Sequence, residues 1–288
     1  MRKYFILLLF LLTTGFLFLP GAESFAQTRA QKPIKILNFT WFNEKPTIEL
    51  SYGIGAVDMS GYNTDFTKPG MIELRLGFSK EYDSRYSKKL IDFDNDFVFV
   101  SNATTDLSQK KSGGVASSMW RFGFGNKVGM GLKFGNFSVL PYSANSFAWS
   151  RFSYDKAATG SSIEYDKFDD FKDAFRFGTA TEAGINLQIT KGLSLQPKYE
   201  ISDIYPRHLF GQQLVSSLLE YGGAELLDNF VSRVMRNSPV AGTIVNFVLK
   251  NGYEYGIYQL RKSSANWPFT GEAPLRYDTF KMGMMFTF

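Results

Sequence analysis

The sequence FKMGMMFTF, residues Phe280–Phe288, has a bulky apolar side chain at every second position. Side chains of a β-strand point to opposite faces with a period of two. One face of this segment is therefore apolar and largely aromatic, and it consists of Phe280, Met282, Met284, Phe286 and Phe288. An exposed apolar strand promotes aggregation unless it is paired and covered. We therefore predict a β-strand that belongs to a closed barrel or a packed sheet.

Alternating segments recur along the chain and predict further strands. In residues 47–57, for example, Ile48, Leu50, Tyr52 and Ile54 share one face. Many segments approach the length of about 9–11 residues that a tilted strand needs to cross a bilayer. We predict strands at 47–57, 70–81, 117–125, 128–136, 178–190, 192–203 and 275–288, with weaker candidates at 93–101, 145–154 and 252–261.

The N-terminal segment has the pattern of an export signal. Arg2 and Lys3 precede an apolar run, and the small-residue pattern Ser24-Phe25-Ala26 follows it. A charged region, an apolar region and such a site are typical of a secretory signal peptide. We predict a signal peptide at 1–26, cleaved after Ala26, and a mature barrel domain at 27–288.

Composition limits the chemistry that the chain supports. It contains no Cys and a single His, His208, so a multi-histidine metal site or a Cys–His catalytic pair is excluded. The formal charge of +5 is scattered and predicts no nucleic-acid partner. We predict no cofactor, no metal site and no catalytic site. A lipid hydrolase or acyltransferase that uses His208 with nearby Ser202 and Asp203 is a minor alternative.

The period of two does not by itself decide which face points outward. A soluble barrel and a membrane barrel share that period, but the polar faces here are rich in glycine, which weakens a solvent-facing strand. Their charges are also balanced, which suits an ion-pair network inside a narrow, filled barrel. The predicted lumen-facing network consists of Glu49, Glu73, Arg75, Arg121, Glu182, Lys198, Glu200 and Lys281.

These features resemble bacterial outer-membrane β-barrel proteins. The resemblance depends on the export signal and on the final strand that ends Phe286-Thr287-Phe288. In that class, such a strand looks like the signal read by the barrel-assembly machinery, so the resemblance implies that machinery and outer-membrane lipid as partners. It implies an all-β, antiparallel transmembrane barrel of about eight to ten strands, since such barrels close with an even number. Links 126–127 and 191–192 then fit short periplasmic turns.

Residues 207–250 depart from the strand pattern. Leu214, Val215, Leu218 and Leu219 recur with a helical period, and we expect Gly222-Gly223 to interrupt the helix. Ser238-Pro239 fits the start of a further helix, which we expect to end near Asn251-Gly252. This helical insertion before the last strand is predicted to form a plug in the lumen, an element on the lipid interface or a cap on the loops. We favour the lumen as a hypothesis.

The predicted function is that of an integral outer-membrane barrel. Balanced charges and a small strand count favour a narrow or plugged channel or transport protein for small solutes or apolar ligands, with a small-molecule ligand in the lumen as a further option. The alternative is a non-transporting structural, adhesion or assembly protein of the outer membrane.

Overall fold

The computed structural model describes residues 44–62, 66–108, 114–135, 137–155, 166–207 and 209–288. The predicted signal peptide and its cleavage site lie outside these residues and stay predictions. Within them, eight antiparallel strands form one closed barrel in sequential order, which confirms the predicted fold class. The strands are β1 (Lys45–Met59), β2 (Gly70–Ser84), β3 (Ser87–Thr104), β4 (Ser117–Phe134), β5 (Phe137–Tyr154), β6 (Phe175–Thr190), β7 (Leu193–Ile204) and β8 (Leu275–Thr287).

Closure is made by pairing of the first and last strands. Leu50 of β1 lies opposite Leu74 of β2 on one side and Met284 of β8 on the other. Every strand therefore has two neighbours, and the barrel has no free edge on which another chain could add a strand. Pro197 lies in a gap of the β6–β7 ladder, where the register passes from the Gly184–Lys198 pair to the Leu187–Leu195 pair. Its missing N–H is tolerated because that ladder makes no pair there.

Two strand predictions are wrong. Segments 117–125 and 128–136 are one continuous strand, β4, so the predicted turn at 126–127 does not exist. Segment 252–261 is helical. The weaker candidates 93–101 and 145–154 lie within β3 and β5.

The two ends of the barrel differ in the length of their links. Strands β2 and β3 are joined by residues 85–86, and β6 and β7 by residues 191–192, as predicted for the latter. At the opposite end, the links span 60–69, 105–116, 155–174 and 205–274. The longest of these contains two helices, α1 (Phe210–Asn237) and α2 (Pro239–Arg261).

The helices differ in detail from their prediction. Helix α1 runs through Gly222-Gly223 without a break, and α2 continues past Gly252 to Arg261, so both predicted ends are wrong. Pro239 does occupy the start of α2, although the Ser238 side chain makes no capping hydrogen bond. Gly223 allows close approach of the helices, because a Cβ there would lie 2.2 Å from the Tyr253 hydroxyl. Gly223 therefore serves packing between α1 and α2. No helix in the described part of the chain combines the length and apolarity of a membrane span.

Candidate functional site

The lumen is filled by buried charged side chains. All eight residues of the predicted network lie on the inward face and are buried, with Lys281 fully enclosed. Arg75 links three carboxylates: its Nε lies 2.8 Å from Glu73 Oε1, and its Nη2 lies 2.6 Å from Glu182 Oε2 and 3.5 Å from Glu200 Oε2. Charges brought from distant strands thus neutralise one another at the barrel centre.

The remaining cations complete the network. Lys281 Nζ lies 3.0 Å from Glu73 Oε1 and 2.7 Å from Glu200 Oε2. Arg121 Nη1 donates to Glu200 Oε1 at 2.7 Å. Lys198 pairs with Glu49. Removal of one member would leave its partners buried with less compensating charge, so the network links the strands that carry these residues.

Lys127 belongs to this network but was assigned to a turn by sequence reasoning. It is fully buried, pairs with Glu49 and donates to Gln196 Oε1 at 2.8 Å. The sequence contains a usable signal, because Lys127 continues the inward alternation of Arg121, Gly123 and Gly125 without a break.

Aromatic side chains fill space around the charges. The Tyr142 hydroxyl donates to Glu182 Oε1 at 3.0 Å, and the Arg75 guanidinium lies 4.4 Å from the centre of the Phe97 ring. Gly184 makes room for Tyr142, because a Cβ there would lie 2.4 Å from the Tyr142 ring. The inward glycines therefore accommodate large neighbours.

Three lumen carboxylates come close enough to suggest a metal site. One oxygen each of Glu73, Glu182 and Glu200 lies within 4.8 Å of the others. However, the cations Arg75, Lys198 and Lys281 already contact these groups. Their positive charges occupy the place that a metal ion would take, so the donor set fits an ion-pair network.

Apolar clusters lie beyond the charges at both ends. At the end with long links, inward strand residues such as Met119 and Tyr277 pack with Phe66, Phe168 and Phe171 from the links. Nearer the short-link end, a second buried cluster consists of Ile91, Phe93, Leu140 and Met285. The lumen thus has an apolar layer on each side of its charged centre.

The outer surface of β1, β2 and β8 is apolar along the middle of the strands, and we call it the bare wall. The residues predicted as the C-terminal insertion signal, Phe280, Met282, Met284, Phe286 and Phe288, are all exposed on it. They continue onto the exposed residues Ile48, Leu50, Tyr52, Ile54, Ile72, Leu74 and Leu76. Its apolar band suits contact with hydrocarbon. A role in assembly stays a prediction.

The outer surface of β3 to β6 carries a polar row at mid-strand, and we call this region the covered wall. Asn126 shares the outward face of exposed Phe122 and Phe124. It lies opposite Asp96 on β3 and Asn145 on β5. Its amide nitrogen donates to Asp96 Oδ1 at 2.6 Å and to Asp94 Oδ1 at 2.7 Å. Such groups are costly to expose to lipid.

Helices α1 and α2 lie along this covered wall, so the hypothesis that they occupy the lumen is wrong. Near their connection, Val231 and Met235 are buried against Leu90, and the Tyr86 hydroxyl donates to Ser232 at 3.3 Å. Leu90 faces outward, since the inward positions of β3 are the odd ones such as Phe93. One end of the helical pair is therefore fixed at the short-link end of the outer wall.

The opposite end of the helical pair is fixed near the long links. Arg276 Nε donates to Asp203 Oδ1 at 2.9 Å, and its Nη2 donates to the Tyr258 carbonyl of α2 at 2.6 Å. The Tyr258 hydroxyl donates to the carbonyl of Thr179 at 2.9 Å. Burial raises the pKa of the adjacent Tyr205 to about 12, so its hydroxyl stays neutral beside Thr179. The pair thus extends over the full height of the wall.

A cleft of about 210 Å³ lies between the helices and the middle of the wall. The wall contributes Asn126, Val128, Ser143 and Asn145. Asn145 donates to Glu254 of α2 at 3.4 Å, and Lys250 pairs with Asp228 across the two helices at 2.8 Å. The polar sides of the helices and the polar row of the wall therefore face each other.

The residues considered for catalysis do not form a triad in the described part of the chain. Ser202 faces the lumen, where its hydroxyl accepts a hydrogen bond from Arg121 at 3.2 Å. Asp203 lies on the opposite face of β7 and pairs with Arg276. His208 lies outside the described residues.

Comparisons with known proteins return similar folds only. No protein-family sequence model matches the chain, and no curated protein sequence is significantly similar to it. The crystal structure of Neisserial surface protein A is 10% identical, with a TM-score of 0.42, and the match covers 84% of this chain and 97% of that chain. A second similar structure is that of Ail, the attachment invasion locus protein of Yersinia pestis, with 10% sequence identity and a TM-score of 0.35. This match covers 85% of this chain and 99% of that chain.

The class of the protein follows from its own geometry. The barrel is closed, its outer surface exposes an apolar band, and the centre of its lumen is filled by charged side chains. In a soluble barrel the apolar side chains would instead fill the interior. These features are those of a β-barrel that crosses a membrane with its strands.

Proposed function

We propose that this protein is a non-conducting barrel of the outer membrane, with a structural, adhesion or assembly role. The observation that carries the proposal is the filled lumen, in which Arg121, Lys127, Lys198 and Lys281 are all buried and paired. An ion crossing the barrel would have to break several of these pairs without the compensation of bulk water. The channel predicted from the sequence has no comparable support.

The proposal also defines the orientation of the barrel. Short turns face the periplasm and long loops face outward in barrels of this class. The links 60–69, 105–116 and 155–174 then lie at the cell surface, where Phe66, Val115, Phe168 and Phe171 anchor them on the apolar cluster at the barrel mouth. A rigid barrel carrying anchored surface loops suits contact with another macromolecule or with the cell envelope.

Conductance measurements test the proposal directly. The refolded protein is incorporated into planar bilayers and into liposomes for swelling assays, with a general porin as positive control. We expect no conductance steps and no solute-dependent swelling. The matched variant is Glu49→Ser with Lys127→Ser and Lys198→Ser, which removes paired charges together and opens the lumen centre. Conductance steps from the unmodified protein that match those of this variant would overturn the proposal.

A further inference from the structure

The outward faces of α1 and α2 are strongly apolar. Their exposed large side chains include Leu226 and Ile244, which are 72% and 63% exposed. Others on the two helices are Leu214, Val215, Leu218, Leu219, Phe230, Val240, Val248, Tyr255 and Leu260. A surface of this kind marks a contact with lipid or with another macromolecule.

The position of the helices indicates which contact this is. The cleft beside them is lined in part by Asn126 and Asn145, which lie opposite each other at the middle of β4 and β5. The middle of a membrane-spanning strand lies within the hydrocarbon layer. The apolar surface of the helices is therefore level with the apolar outer surface of the barrel.

The lengths and charges of the helices agree with this depth. Helix α1 has 28 residues, so it extends about 42 Å and exceeds the hydrocarbon thickness of about 30 Å. Two of its three acidic residues, Glu220 and Asp228, pair with Arg261 and Lys250 of α2. Exposed Arg233 and Arg236 lie close to the connection at residue 238, near the expected periplasmic headgroups.

We propose that α1 and α2 form a membrane-embedded hairpin, which is packed on the covered wall and contacts lipid acyl chains through its outward face. Neither helix would be stable there alone, because the polar sides of both need the polar row of the wall. The hairpin in turn separates Asp96, Asn126 and Asn145 from lipid. This inference rests on the membrane placement of the proposed function.

Fluorescent labels at single cysteines test the inference, because the natural chain has no cysteine. The labelled variants are Leu226→Cys and Val248→Cys on the hairpin, Leu50→Cys on the bare wall and Ser263→Cys after α2. Each is refolded into vesicles containing brominated phospholipids, and folding is verified by heat-modifiable migration in gels. We expect the two hairpin labels to lose as much fluorescence as the Leu50 label, while the Ser263 label is unaffected and is quenched by aqueous iodide.

The same experiment separates the two proposals. If the Leu50 label is quenched by brominated lipid but both hairpin labels respond only to iodide, the hairpin lies in water or under a protein partner, and the inference is overturned while the barrel placement stands. If the Leu50 label also fails to respond to brominated lipid, the membrane placement itself is wrong and both proposals fail.

Discussion

The bare wall and the covered wall belong to one barrel, but their outward side chains differ in polarity at the middle of the strands. On β1, β2 and β8 the outward side chains are apolar throughout the middle of the strands, as Leu50, Leu76 and Met284 illustrate. On β3 to β5 the same level carries Asp96, Asn126 and Asn145. Since lipid rejects such groups, the difference shows that outward polarity in a membrane-type barrel marks the position of another packed element.

The largest effect should follow removal of the hairpin. Replacement of residues 209–261 by a short Gly-Ser linker would expose Asp94, Asp96 and Asn126, as well as the Asp203–Arg276 pair, to lipid. Each ionised aspartate at the bilayer centre costs about 2.5–3.5 kcal/mol, so the folded fraction in liposomes should fall sharply. Heat-modifiable migration in gels measures that fraction.

A rescue variant provides the control for this deletion. It combines the deletion with leucine at positions 94, 96, 126 and 145 of the covered wall and at positions 203 and 276 of β7 and β8, which removes these polar groups from the outer surface. Folding should then recover. A deletion variant that folds as well as the full chain without these leucines would show that the polar row does not need the hairpin.

The next largest effect should come from the lumen, which both walls enclose. Arg75→Met leaves Glu73 and Glu182 without their guanidinium partner and should lower the free energy of unfolding by about 3–5 kcal/mol. The denaturation midpoint in urea, measured on protein folded in liposomes, tests this value. Leu74→Met on the bare wall is the matched control, with an expected change within about 0.5 kcal/mol.

This loss should be the same in the full chain and in the rescued deletion variant. The lumen contacts of Arg75 do not involve the hairpin, and independent sites contribute additively. If Arg75→Met lowered the free energy of unfolding by different amounts in the two backgrounds, the hairpin would affect the lumen. The polar groups inside and outside the barrel would then not be independent.

The same contrast explains how far the sequence predicted the structure. Strands of the bare wall have one apolar and one polar face, and the segments predicted for them, such as 47–57 and 275–288, agree closely with β1 and β8. The weaker candidates 93–101 and 145–154 and the false turn at 126–127 all lie on the covered wall. There Asp96, Asn126 and Asn145 interrupt the apolar face, so the alternation of polarity fails although the strands continue.

The sequence predicts most of the lumen network but not the position of the helices, because only the former depends on local alternation. The lumen-facing positions of Glu49, Arg75 and Lys281 follow from strand parity, which is a local property. Lys127 was missed because the turn assigned at 126–127 removed it from its strand. The position of α1 and α2 depends on contacts such as Tyr86 with Ser232, which join residues far apart in sequence and leave no periodic signal.

Exchanging single side chains between the walls should give an intermediate effect. Leu76→Asn places an amide in lipid on the bare wall and should cost about 1–3 kcal/mol, because the amide has no partner there. Asn145→Leu on the covered wall removes one long hydrogen bond to Glu254 and should cost less than about 1 kcal/mol. Unfolding midpoints of both variants in liposomes measure the difference. Equal losses at the two positions would mean that the walls meet the same environment.

The smallest effect should come from the ion pair between Lys250 and Asp228, and it reports on the cleft. Both side chains are partly exposed, so Lys250→Met should cost only about 0.2–1 kcal/mol if water enters the cleft. A dry cleft would instead leave Asp228 as an unpaired charge in hydrocarbon, with a loss of several kcal/mol. The unfolding midpoint of Lys250→Met therefore shows whether the hairpin excludes water from the covered wall or whether water fills the cleft between them. The control is Lys250→Arg, which keeps the charge and should have the unfolding midpoint of the natural chain in either case.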